Sequence, residues 1–421
     1  MPLDDHEGVT DFENSLLRSI DTDEIVSLAS ALIDAGGENP GGTEGGVAHV
    51  LASRCRDLGF RVEMVEVAPG RPNVIVSIGE SGESGKSGDS GVLFVGHSDV
   101  VPAGGGWSTD PFRATTRDGR LYGRGACDMK GGLAAVVVAM AAIERSASEL
   151  TAPISLACLV DEEDTGLGIR AFVQRGNAPS RPSPRYSHCI VAEPTDLVTI
   201  TGCRGAANLE IVVTGRSAHA GRPSNGRNAI AAAAKIVGLV ERSAVRMRQN
   251  PHPVLGPATW NVGTIDGGTG TSMVADRCVL TVDRRLLPGE DAHEIARELR
   301  LSIDDAGITG DGIEVSVGVS MEMPGFLTSE NSDTAVAAVA AVTDAVGSRG
   351  TDVWTASCDG GFVARDLGTP VVVLGPGEIE TQAHQPDESV SVQQLCDSAR
   401  AYALMASRIV ALPAVLSRSK G

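Results

Sequence analysis

The chain has 421 residues, more than one compact core usually holds, so two domains are expected. Its 54 acidic and 35 basic residues give a formal net charge of -19, which argues against nucleic acid or any other polyanion as a partner. No apolar run reaches the roughly 18 residues of a membrane span. The N-terminal MPLDDHEGVTDFEN lacks the basic and apolar regions of a signal peptide, so a cytoplasmic protein with no membrane partner is expected.

Up to about residue 200, apolar runs alternate with helical patterns: LFVGH after a Gly/Ser stretch, GGLAAVVVAMAAIERS as a helix, then ISLACLV and CIVAEPT as buried strands. This is an α/β layout. The Gly/Ser stretch IGESGESGKSGDSG imitates a phosphate-binding loop, but Glu80 stands where that motif needs glycine, and a strand follows instead of a helix. A surface loop explains it better.

From residue 203 the texture changes to AANLEIVVTG, NAIAAAAKIVGLVERS, ATWNVGTIDGG, ADRCVLTVDRR, AHEIARELRLSI and GIEVSVGV. In order this is β-α-β-β-α-β, a ferredoxin-like arrangement that makes an inserted domain over 203–318. The α/β texture then resumes with a helix over NSDTAVAAVAAVTDAV, a strand at PVVVLGPG and a closing helix from VQQLCDSARAYALMASRIV. The first domain is thus expected from 1–202 and 319–421 together.

Eight cysteines are scattered with no CxxC pair, as expected of reduced, mostly buried thiols. Cys127 adjoins a motif discussed below, where a thiolate could ligate metal, but a small buried residue is the better reading.

Five segments place imidazole or carboxylate at strand ends or glycine turns, where such groups are costly unless paired. In GHSDVVP, residues two apart share a strand face, so Asp99 can hold the ring of His97 and leave its other nitrogen for metal; a solvent-facing pair fits equally. In GRGACDMKGG, Asp128 precedes a helix and could equally be its cap. In LVDEED, Glu162 and Glu163 point opposite ways if extended, so one could ligate metal while the other moves protons; alone, a solvated acidic loop explains them. Glu193 in VAEPT ends a strand that Pro194 terminates, and His384 in GPGEIETQAHQPDESV follows a strand and a glycine turn.

Taken together and in order, HSDVVP, GRGACDMKGG, DEE, AEPT and AHQPDE resemble the signature of the M20 metallopeptidases and deacylases, across nearly the whole chain. Acetylornithine deacetylases and succinyl-diaminopimelate desuccinylases belong to that family. The resemblance implies a metal-dependent exopeptidase-type catalytic domain, a mixed sheet flanked by helices, with the insert as a lid and dimerisation domain. It implies two divalent ions, zinc foremost with cobalt or manganese as alternatives. Asp128 would bridge them, with His97 and Glu193 on one ion and Glu163 and His384 on the other. Glu162 would be the general base, Asp99 is counted with it among the catalytic residues through its hold on His97, and the bond from Asp128 to Met129 would be cis.

In the insert, TGRSAHAGRPSNGRNAI resembles the family's lid motif and implies His219 as a donor to the substrate carbonyl, commonly from the partner subunit of a homodimer. TVDRRLLPGE resembles its D-x-R-x-x-P-G strand and puts Arg285, not Arg284, on the substrate carboxylate, a group that a guanidinium fork suits. Ser272 stands in GGTGTSMVAD where relatives often carry Asn, so one substrate hydrogen bond is expected to differ. The resulting expectation is removal of an acetyl or succinyl group from an N-acyl amino acid such as N-acetylornithine, with a dipeptidase or carboxypeptidase as the alternative. A phosphoesterase would need a cationic cluster that this acidic sequence does not offer, and Glu162 beside five candidate ligands counts against a non-catalytic scaffold.

Overall fold

The structure, a computed structural model, describes residues 9–79, 91–146, 149–177 and 186–412. Residues 80–90, on which the expected surface loop falls, lie outside the described residues.

In chain order the elements that build the fold are α1 (Asp11–Arg18), α2 (Thr22–Asp34), α3 (Gly45–Asp57), β1 (Arg61–Ala68), β2 (Arg71–Ile78) and β3 (Gly91–His97). There follow α4 (Gly131–Ser146), β4 (Ile154–Leu159), α5 (Leu167–Gly176), β5 (Tyr186–Val191) and β6 (Thr199–Cys203). Next come β7 (Gly205–Thr214), α6 (Ala229–Gln249), β8 (Thr259–Gly267), β9 (Arg277–Leu286), α7 (Ala292–Asp305) and β10 (Glu314–Met323). The chain closes with α8 (Asp333–Val346), β11 (Val371–Val373) and α9 (Val392–Val410).

The chain divides into two compact units, one of residues 1–202, 328–352 and 362–421, the other of 203–327 and 353–361. The break expected after residue 318 falls later, because β10 pairs with β7 as far as Met323 opposite Ala206 and cannot be cut partway.

The first unit holds a mixed sheet in the order β1-β2-β4-β3-β5-β11-β6. Its central strands β4, β3, β5 and β11 run parallel. Every residue of β3 and of β4 is buried, which is why both read as unbroken apolar runs with no alternation. Helix α4 is apolar all round and buried from Gly131 to Ile143, as a helix in the middle of a core must be. By length and composition the segment Ala126–Ser146 could cross a membrane, but its apolar stretch from Ala126 to Ile143 is buried inside the protein. Helix starts follow the sequence: Asp21, Ser332 and Ser391 cap α2, α8 and α9 through side-chain oxygens that accept a backbone N–H.

The second unit is a four-stranded antiparallel sheet in the order β8-β9-β7-β10 with α6 and α7 packed on it. Strand β9 alternates buried and more exposed residues along its length, and Val282 and Leu280 meet Leu209 and Ile211 of β7 on the covered face.

Candidate metal centre

Parallel registry brings the chemical residues to one edge of the large sheet, the carboxyl ends of its strands, where open α/β sheets bind ligands. His97, the last residue of β3, lies beside Leu159, the last of β4. Val95 lies beside Val191 of β5, and the Ala192 amide continues the ladder to Val95 O at 2.9 Å, so Glu193 emerges next to His97. Helix α4 starts against the same place: a Cβ on Gly132 would sit 2.3 Å from Ala192 O, a separation no other residue permits.

There, His97 Nε2 lies 3.1 Å from Asp128 Oδ1 and 3.4 Å from Glu193 Oε1. His384 Nε2 lies 3.3 Å from Asp128 Oδ2 and 3.2 Å from Glu163 Oε2. Each oxygen of Asp128 thus faces one imidazole. His97, Glu162 and Glu193 can present ligand atoms within 4.8 Å of one another, and so can His97, Asp128 and Glu163. His384 adopts a left-handed φ of +63°, an uncommon conformation for a residue with a Cβ and one that clusters at functional sites.

Carboxylates crowded together and withdrawn from water need cations. Burial and neighbouring Asp128 push Glu193 up to about 7 and raise Glu163 as well. Burial acts against charge on His97, but Glu193 and Asp128 outweigh it and hold the ring well above its ordinary value. Hydrogen bonding to Asp128 and Glu163 lifts His384 to about 10. Burial disfavours the ionised form of Asp128, yet His384 and His97 together keep it far below the usual carboxylate range. Imidazole nitrogen and carboxylate oxygen in this number and spacing form a donor set suited to borderline divalent metals.

The pattern of peptidase family M20/M25/M40 matches residues 93–408. The chain belongs to the M20 family. It is therefore a hydrolase of that family. It is 34% identical over 349 residues to an acetylornithine deacetylase of Vibrio campbellii, covering 82% of this chain and 86% of the relative. It is 33% identical over 396 residues to the acetylornithine deacetylase of Yersinia pseudotuberculosis, covering 90% and 92%. A metallo-carboxypeptidase of the M20 family from Sulfolobus solfataricus superposes with a TM-score of 0.73 at 20% identity, over 91% of this chain and 98% of that one. A dinuclear metal-binding M20 peptidase from Bacillus subtilis superposes at 0.62 and 13% identity, over 94% and 98%. Likeness at these identities bears on the fold.

Within this M20 chain Asp99 holds the Nδ1 side of the His97 ring and leaves Nε2 to the centre, chiefly through its backbone oxygen at 2.8 Å with the carboxylate 3.6 Å away. That carboxylate accepts the backbone amides of Glu162 and Glu163 at 3.2 and 3.1 Å. The expectation for the two glutamates needs correction: Glu162 and Glu163 do not diverge as extended neighbours. Strand β4 ends at Leu159 and Asp161 turns the chain with φ +67°, so both carboxylates reach the same centre.

Other features of the centre follow the sequence more directly. The bond from Asp128 to Met129 is cis. Cys127 is buried, and burial followed by the charge of Glu388 pushes its thiol well up, which keeps it protonated and a poor ligand. All eight cysteines are free and buried.

Sequence reasoning missed Glu388, which is 1% exposed. Its carboxylate accepts the amides of Gly125, Cys127 and Asp128 at 3.0, 2.9 and 3.0 Å and pairs with Arg124 at 2.8 Å. The glutamate was visible in AHQPDE, but nothing in its spacing pointed to a partner 260 residues earlier.

Three expected residues lie in the second unit. His219 is exposed, and its Nδ1 accepts the Gly221 amide at 2.9 Å, which leaves the proton on Nε2. Ser272 receives the Ala220 amide on its backbone oxygen at 2.9 Å, beside His219. On β9, Arg284 is buried against Glu290 and the Trp260 ring, while Arg285 turns the other way. Arg285 lines a cavity of about 400 Å³ with Arg204, Thr259, Thr355 and Ala356.

Proposed function

We propose that this M20 hydrolase uses two divalent metal ions to remove an acetyl or succinyl group from an N-acyl amino acid, with N-acetylornithine as the first substrate to test. The convergence of His97, Asp128, Glu163, Glu193 and His384 on one centre carries the proposal. The acetylornithine deacetylases that share about a third of its residues support the substrate class.

Asp128 would face both ions, His97 and Glu193 one, and Glu163 and His384 the other. Nitrogen and carboxylate ligands of this kind accept zinc, cobalt and manganese, and zinc is the first to test. Bound divalent ions supply a water pKa lowered toward about 7 and a polarised carbonyl. Glu162 takes the proton of the attacking water as the C–O bond forms, then delivers it to the amine as the C–N bond breaks. Asp99 holds the Glu162 amide and so serves as a support, not as an acid or base.

Arg285 binds the substrate carboxylate, which a guanidinium grips with two parallel hydrogen bonds. His219, with its Nε2 proton available, donates to the scissile carbonyl. Ser272 offers a hydroxyl near His219 for a shorter contact than Asn makes. A homodimer formed through the second unit fits the open outer edge of β8, where Ile265 is 52% exposed. A cytoplasmic location fits the acidic surface charge and the reduced thiols.

The test compares N-acetylornithine, N-succinyl-diaminopimelate and a dipeptide panel with protein reconstituted with zinc, cobalt or manganese. Turnover of an N-acyl amino acid above the peptides supports the proposal. Hydrolysis confined to dipeptides would move the assignment to a peptidase.

A further inference from the structure

Two residues that precede the M20 family pattern, which begins at residue 93, reach the turn that carries Glu162 and Glu163: Asn39 and Arg71. Gly37 makes this approach possible. Its φ is +103°, and a Cβ there would lie 2.9 Å from Ser98 O, so only glycine lets the loop lie against the segment after β3. The contact is fixed by backbone bonds from Asn39 N to Val100 O at 2.9 Å and from Val100 N to Gly37 O at 3.0 Å.

The loop delivers Asn39, 2% exposed, between two buried acids. Its side-chain amide donates to Asp99 Oδ2 and Asp161 Oδ1, both at 3.0 Å. Asp99 in turn accepts the Glu162 and Glu163 amides. Asp161 accepts the Thr165 and Leu167 amides at 3.2 and 3.3 Å, closing the far side of the same turn. Arg71, at the start of β2, supplies a cation to the arrangement: Nη2 lies 2.7 Å from Asp161 Oδ1, and Nε lies 2.9 Å from the fully buried Glu44.

We propose that Asn39 and Arg71 are positioning residues for the Glu162–Glu163 turn and set the affinity of the ion that Glu163 holds. Neither touches the centre. Each acts through a carboxylate whose bonds end on the backbone of the turn. Partners of metal ligands at this remove are typically worth 10- to 100-fold in affinity. The inference rests on the proposal that Glu163 is a ligand.

The test uses the full chain and Co²⁺ alone as probe, titrated by calorimetry and by its visible d–d absorption. Asn39→Ala and Arg71→Ala should each weaken one of two Co²⁺ sites about 10- to 100-fold and alter its band, leaving the other site within twofold. Arg71→Lys, which keeps charge without the fork, should recover part of the loss. Co²⁺ affinities and spectra within twofold of the parent in the folded variants would overturn the inference. If Asn39→Ala does not fold, Arg71→Lys and Arg71→Ala decide alone, since Arg71 lies nearer the surface. Glu163→Ala separates the two levels. Loss of one Co²⁺ site there with normal binding in the Asn39 and Arg71 variants refutes only the positioning role, whereas two intact sites in Glu163→Ala refute the ligand assignment.

Discussion

Glu388 Oε1 accepts the backbone amide of Asp128 at 3.0 Å, although 260 positions separate the two residues. The carboxylate so placed presents four lone pairs to three backbone N–H groups and Arg124, all withdrawn from water. Replacing it by Gln turns an amide N–H₂ toward backbone donors and leaves Arg124 buried without its counter-charge. Glu388→Gln should therefore cost about 3 kcal/mol or more in stability. Urea unfolding of the parent and variant checks this, and a loss below about 1 kcal/mol would contradict the role given to Glu388.

Adjacent glutamates should separate by their losses. General acid/base catalysis is typically worth 10² to 10⁴ in rate, so Glu162→Gln should retain metal and lose at least about 100-fold in kcat. Glu163→Ala should lose metal first. Elemental analysis beside steady-state kinetics distinguishes them, and near-parent turnover in Glu162→Gln would remove the proton-transfer assignment.

Arg285 should show its role in KM. A charge-assisted bidentate bond to a substrate carboxylate is worth about 2 to 3 kcal/mol, so Arg285→Ala should raise KM roughly 30- to 150-fold. Arg285→Lys should recover only part, because an ammonium lacks the fork. Equal KM in parent and Arg285→Ala would place the substrate carboxylate elsewhere.

Acid should unfasten α1 from α9. Burial disfavours the charged form of Glu13, but the Arg408 guanidinium and the Thr10 cap outweigh it and hold the carboxyl below its ordinary 4.5. A depressed folded value means the pair stabilises the protein fully above about 4.5 and stops doing so as pH falls through the lower folded value. The stability difference between parent and Glu13→Gln, about 1 to 2 kcal/mol at pH 7, should shrink only below about pH 4.5. A difference that stays flat from pH 7 down to 3.5 would mean that this ion pair does not contribute.

Thiol reactivity offers a simple check on packing. All eight cysteines are buried and free, and burial pushes Cys55 and Cys158 up to about 12. A disulfide-exchange reagent should titrate fewer than one thiol per native chain in minutes and eight after denaturation. Rapid reaction of several native thiols would contradict the packing described.

Much of the fold was legible because its strands are long and their burial uniform. ISLACLV and LFVGH could only be buried central strands, and AANLEIVVTG through GIEVSVGV spelled β-α-β-β-α-β in period alone. That His97, Asp128, Glu163, Glu193 and His384 lie together was legible because imidazole and carboxylate at strand ends and glycine turns demand partners. The supports were not. Asn39 and Arg71 lie in ordinary loop and strand sequence, and their meaning arises from contacts that span 60 to 122 positions, as between Asn39 and the two acids it joins. Asp99 holds the His97 ring as strand spacing suggested, but because β3 ends at His97 the nearer contact is its backbone oxygen, which the alternation of side chains does not predict.

The centre draws its groups from both sides of the inserted segment, with His97 and Asp128 before it and His384 and Glu388 after it. During synthesis the earlier half emerges from the ribosome with its acids crowded and the last imidazole still untranslated. The inserted unit can fold meanwhile, since its sheet and helices are contiguous in sequence. On the proposed two-ion reading, capture of both ions would have to wait until nearly the whole polypeptide exists, so a prematurely terminated chain lacking β11 and α9 would miss His384 and Glu388 and could not complete the proposed site.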